Sequence, residues 1–119
     1  MSREGPLNKL ASLCHNNSVQ KGFWAEPPVA PMLVAVKLCL VHSEVSEALE
    51  VVRKCESLND LHSRMDDKLP GHPAIAMELA DVIIRVLDLS AKLGLDIDAA
   101  IQDKMSYNSG RPQKHGKVL

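Results

Sequence analysis

The chain is 119 residues long, 45% hydrophobic and 24% charged, with a net charge of -1. This size and balance suit one globular domain over residues 1–119 and argue against a disordered chain. The near-neutral charge lacks the basic excess that coating a duplex needs, so no nucleic-acid partner is expected.

Only Phe23, Trp24 and Tyr107 are aromatic, which leaves the core to aliphatic side chains. Cys14, Cys39 and Cys55 are odd in number and form no CxxC pair. A zinc ribbon or a disulfide scaffold is therefore unsupported, and thiols of a reducing compartment are expected. Met1 to Gly5, with Arg3 and Glu4, leads into no apolar run, so no signal peptide is read there. Lys37 and Arg85 interrupt the most apolar stretches, so neither reaches the length of a membrane span. The expectation is a cytoplasmic protein without a membrane partner.

Apolar residues fall at helical spacing almost throughout. Leu7, Leu10, Ala11 and Cys14 predict a first helix after Pro6, fraying near Asn16 and Asn17. Lys21 to Pro31 reads as a linker, because its prolines cannot sit inside a helix. Pro31 suits a first helical turn, and Met32 to about Glu56 has no Gly or Pro, so one long helix is expected. Ser57 to His72 reads as an irregular loop, long enough to carry function or cover a site. Pro73 opens the next helix, which runs to Leu93 and stops at Gly94. Asp96 caps a shorter helix from Ile97 to about Met105. Ser106 to Leu119, with Gly110, Pro112 and Gly116, is expected to be an extended basic tail. The fold class is all-α, a helical bundle of four or five helices.

Two acid pairs stand out. Glu44 and Glu47 lie three apart on the long helix, beside the apolar Leu40, Val41, Ala48 and Val51. Residues 74–87 are almost wholly apolar, and Glu78, Asp81, Arg85 and Asp88 form a narrow polar stripe through that region. Each pattern alone also fits a solvated helix face, with Arg85 paired to Asp81 at i, i+4. If the two pairs face each other, four carboxylates converge, and such a group needs a cation. Oxygen donors select a hard ion, Mg²⁺ with Mn²⁺ as the substitute. The histidines show no zinc-ligand spacing.

No acid follows Asp103, whereas Lys104, Arg111, Lys114 and Lys117 are basic. Such a tail is either a solubilising end or, beside a carboxylate-held metal, a phosphate clamp. Lys37, seven residues before Glu44 and on nearly the same face, is a further phosphate ligand candidate.

The ordered set Glu44-x-x-Glu47 and Glu78-x-x-Asp81 resembles the signature of MazG-like nucleoside triphosphate pyrophosphohydrolases. These belong to the all-α NTP pyrophosphatase superfamily, with dimeric dUTPases and phosphoribosyl-ATP pyrophosphohydrolase. KGFW at 21–24, HSEVSEALE at 42–50, ELADVIIRVLDL at 78–89 and KMSYNSGRPQKHGK at 104–117 resemble its bacterial and phage branch. Together they cover most of residues 21–119. The segment between Glu47 and Glu78 is at or beyond the long end of the family spacing, and the extra length falls in Ser57–His72.

The resemblance implies cleavage of a nucleoside triphosphate substrate between the α and β phosphates, giving monophosphate and pyrophosphate. It implies that Glu44, Glu47, Glu78 and Asp81 hold Mg²⁺, with Glu47 taking the proton of the attacking water. Asn108, Arg111 and Lys114 would bind phosphates or ribose, with Lys104 beside them. Trp24 would stack on the base, or else pack the linker onto the bundle. A phosphoribosyl-nucleotide substrate and a non-catalytic helical binding module are the competing readings. The 74–87 segment is apolar on more faces than one small bundle covers, so a homodimer or homotetramer is expected.

Overall fold

The computed structural model describes residues 5–24 and 30–118. The readings of Met1–Glu4, of residues 25–29 in the linker and of Leu119 lie outside them. The apolar stripe after Pro6 becomes α1, Pro6–Gln20, with proline in its first turn where no amide is needed. It runs on through Asn16 and Asn17, where fraying was expected, and the chain turns away at Gly22, φ +84°. Glycine takes that left-handed conformation without a Cβ clash.

Helix α2, Pro31–Arg53, starts as expected and stops short of Glu56. The segment expected to be irregular holds a short helix, α3, Leu58–Ser63. Ser57 Oγ accepts from the Asp60 amide, which caps the helix start, and Asp60 Oδ2 accepts from the amide of Glu56, the residue before the cap. Past α3, Ala74 N donates to Arg64 O and Asp66 N donates to His72 O, closing residues 64–74 into an ordered loop. Met65 and Pro73 form an isolated antiparallel bridge there, and among the described residues there is no strand.

Helix α4, Ala74–Lys92, ends at Leu93 with Gly94 at φ +69°. Asp96 caps α5 as expected, its carboxylate accepting from the Ala99 amide. Helix α5 covers Ile97–Ser109, beyond Met105, because nothing before Gly110 breaks it. The tail is thus helical at 106–109, and Gln113–Gly116 forms a further single 3-10 turn.

Helix α4 is the hub. It packs against α1 on one side and α2 on another, α3 leans on it, and α5 rests on α1. Ala11, Cys14 and Leu87 are buried together, with Ala91 and Ile97 packed on them. The start of α1 is fastened to the start of α5. Asp98 accepts from the amides of Leu7 and Asn8, at 3.2 and 2.7 Å. The Asn8 side chain donates to Asp96 and accepts from the Ile97 amide. A Cβ on Gly5 would collide with the Asp98 carboxyl group, so the joint needs glycine there. Among the described residues, no helix is long and apolar enough to cross a membrane.

Candidate metal and phosphate site

Packing of α2 on α4 decides where the acids go. Helical spacing of three puts Glu44 and Glu47 on one side of α2, a turn apart. The structure brings Glu44, Glu47 and Glu78 together, each offering a carboxylate oxygen within 4.8 Å of the others. Asp81, one turn after Glu78, lies outside that triplet. It lines the same cavities, and the Glu44 charge bears on it.

Glu44 is the buried member, 9% exposed, and its Oε1 accepts a 2.6 Å hydrogen bond from Arg85 Nε. The Arg85–Asp81 pairing suggested by sequence spacing is therefore not the one formed. Glu47 is exposed at the rim. A hydrogen bond shared with Glu44 raises the Glu47 carboxyl above the ordinary glutamate value, and repulsion from Glu44 and Glu78 adds to it. Burial raises Glu78, reinforced by the charges of Asp81 and Glu44 and opposed by a hydrogen bond from Glu47. Burial and the Glu44 charge raise Asp81 as well, with Arg85 opposing. Glu78 Oε2 is buried without a hydrogen-bond partner. Grouped hard oxygen donors, one of them orphaned, could hold a metal cation.

Two cavities flank the acids. One of about 330 Å³ has Cys14, Phe23 and Ile84 as apolar lining, with Asn17, Ser18 and Asp88 as polar groups. Trp24 is tied to it through Asp88 and Lys37, both in its wall. Trp24 Nε1 donates to both oxygens of Asp88 at 2.9 and 3.0 Å. His15 Nδ1 lies 2.8 Å from Asp88 Oδ1, and its ring meets Trp24 edge to face. Lys37 does not stand free. Its Nζ donates to the Phe23 carbonyl at 2.7 Å and sits 4.2 Å from the Trp24 ring centre. Sequence reasoning missed His15 and the role of Asp88, and spacing could not reveal a pair 73 residues apart. The second cavity, about 610 Å³, lies on the other side, walled by the 64–69 loop.

Lys104, Asn108, Arg111 and Lys114 line neither of these two cavities, nor the shallower one between Glu47, Glu50, Lys54 and Lys68. Lys104 and Arg111 stand over the Tyr107 ring, and Lys114 adopts φ 55°. Asn108 Oδ1 is buried without a partner. Within one chain, the tail and the acids form separate groups. The chain matches no family model, no curated protein and no solved structure.

Proposed function

We propose that the protein hydrolyses a nucleoside triphosphate, or its deoxy form, to the monophosphate and pyrophosphate with Mg²⁺ or Mn²⁺. The observation that carries this reading is the group formed by Glu44, Glu47 and Glu78, with Glu78 Oε2 buried and unpartnered. Three carboxylates from two helices, with one oxygen unsatisfied, suit a cation that in turn suits a polyphosphate. When bound, the ion neutralises phosphate charge and makes a water more acidic.

In this reading Glu44, Glu47, Glu78 and Asp81 hold the ion. Arg85 fixes the Glu44 carboxylate by its 2.6 Å hydrogen bond. Glu47 accepts the water's proton. Its exposed position and raised pKa suit a base that must take up and release protons. The water oxygen bonds to the α phosphorus, the bond to the bridging oxygen breaks, and pyrophosphate leaves with that oxygen. The cavity lined by Phe23, Asn17, Ser18 and Asp88 offers an apolar floor with polar edges, as a base requires. Lys104, Asn108, Arg111 and Lys114 enter the reading as contacts to phosphate or ribose carried by a second copy of the chain. Cleansing of the cytoplasmic nucleotide pool is the role we assign.

A homodimer or homotetramer belongs to the same reading. No large side chain among the described residues is fully buried, whereas Val45, Leu49, Leu79 and Ile83 are each half-exposed. Apolar surface of that kind on the two helices that carry the acids suits a second copy. The test of the activity is a panel of ribo- and deoxyribonucleoside triphosphates with Mg²⁺ and with Mn²⁺, the products identified by chromatography. Monophosphate plus pyrophosphate from at least one member is expected. No cleavage anywhere, or diphosphate plus orthophosphate, overturns the reading.

A further inference from the structure

We propose that Lys54 and Lys68 hold the pyrophosphate end of the substrate, in the larger cavity between the end of α2, the 64–69 loop and α4. The proposal rests on the pyrophosphohydrolase reading above and gives the substrate a direction across the acids.

Glu78 and Asp81 share a cavity wall with both lysines. Even so, among the described residues neither lysine amine is within ion-pair distance of a carboxylate or makes a side-chain hydrogen bond, and both side chains are exposed. Arg64, the third cation of that wall, is committed. Its guanidinium donates to Asp60 Oδ2 and to the Lys54 carbonyl, each at 3.0 Å. It thereby staples the loop to the end of α2 and fixes the backbone from which Lys54 extends. The loop places Lys68 by similar means. Asp66 Oδ2 accepts from the amides of Lys68 and Leu69, at 3.0 and 2.8 Å, which turns that carboxylate onto its own backbone. Asp67 is the remaining acid of this loop on the wall. Two available ammonium groups on a pre-set frame, beside carboxylates suited to a cation, form a receptor for a metal-bound polyanion. The other cavity is smaller and has the Phe23 ring in its lining; it also holds Lys21, and its cations Lys37 and Arg85 are committed to the Phe23 carbonyl and to Glu44. Asp81 and Ile84 line both cavities, so the acid-bearing turn of α4 separates a side with Lys54 and Lys68 from a side with the Phe23 ring. A triphosphate lying across that turn has its nucleoside toward Phe23 and its β and γ phosphates toward Lys54 and Lys68.

The experiment titrates Mg²⁺ with inorganic pyrophosphate, and separately nucleoside monophosphates, into the full chain by calorimetry. The variants are Lys54→Ala, Lys68→Ala and the double change, with Lys9→Ala, on the exposed side of α1, as a control for net charge. Thermal melts confirm that each variant folds. Each single change should weaken pyrophosphate binding about tenfold and the double change about a hundredfold, with monophosphate binding altered less than about twofold. Lys9→Ala should bind as the parent does. The proposal is overturned if the parent binds no pyrophosphate, if the double variant binds it like the parent, or if Lys9→Ala loses as much. Equal weakening of the monophosphates overturns it too. Binding is read without turnover, so the two readings fail separately. Pyrophosphate bound through these lysines by a chain that cleaves nothing overturns the activity alone. Cleavage with an unaltered double variant overturns the lysine site alone.

Discussion

Arg85 of α4 reaches across the helix interface and donates from Nε to Oε1 of Glu44 on α2, at 2.6 Å. The Glu44 side chain is 12% exposed and that of Arg85 31%. A carboxylate that far from water needs a partner, and Arg85 supplies it. The pair therefore joins the two acid-bearing helices and sets the position of one acid.

Arg85→Met keeps most of the side-chain volume and removes the charge. It should destabilise the metal-free protein by about 2–3 kcal/mol, since the buried Glu44 loses its cationic partner. Adding Glu44→Gln should recover part of that loss. Urea unfolding in EDTA measures both, and an Arg85→Met protein as stable as the parent would show that the pair carries no weight.

The raised carboxyl groups give a pH dependence with a definite sign. Glu47, Glu78 and Asp81 all lie above their ordinary values in the fold. Between the unfolded values, near 4, and the raised folded ones, the folded state binds more protons than the unfolded state. Their contribution is full below about pH 4 and is lost as pH rises through the raised values. Metal-free stability should fall over that window, and Glu47→Gln should make the fall shallower. The same variant should lower hydrolysis at least about a hundredfold. Melts in EDTA across pH, beside the activity assay, test both statements.

Trp24 is the chain's one tryptophan, so its fluorescence reports on its own surroundings. Asp88→Ala removes the acceptor of its indole N–H and the partner of His15. Emission should shift to the red as the ring loosens, and stability should fall by about 1–2 kcal/mol. An unshifted spectrum would mean that packing alone holds the ring.

Self-association is read directly by light scattering. The expected particle is a dimer or tetramer of the 13.0 kDa chain. Ile83→Asp, which puts a charge on an exposed apolar position of α4, should shift it toward the monomer. A monomeric parent at micromolar concentration would remove the second copy from the proposed reading.

Much of this was legible in the sequence. Apolar spacing located α1, a run without glycine or proline located α2, Pro73 and Gly94 bracketed α4, and Asp96 announced α5. Both acid pairs could be read as pairs because spacing of three is a property of one helix. Partners on different helices were not legible. Arg85 had Asp81 as a local candidate, and only packing of α2 on α4 offered it Glu44. Helix α3 carries a start signal, Ser57 with Asp60, but lies in a polar stretch without an apolar stripe. The tail's charges were visible, whereas its separation from the acids depends on α5 docking against α1.

The joint between α1 and α5 has a consequence for how the chain is made. The hydrogen bonds from Leu7 and Asn8 to Asp98 span 91 and 90 residues, and His15 finds Asp88 73 residues later. On the ribosome, α1 precedes α2, yet its partners on α4 and α5 come last. At bacterial to eukaryotic elongation rates it waits on the order of ten seconds, its stripe of Leu7, Ala11 and Cys14 uncovered. Helix α4 receives α1 and α2 alike, so both can dock once it has emerged, and the joint to α5 closes after that. The fastening of Leu7 and Asn8 to Asp98 closes only when the start of α5 has been made. Until α4 emerges, α1 is therefore the segment of the nascent chain whose apolar stripe lacks its cover.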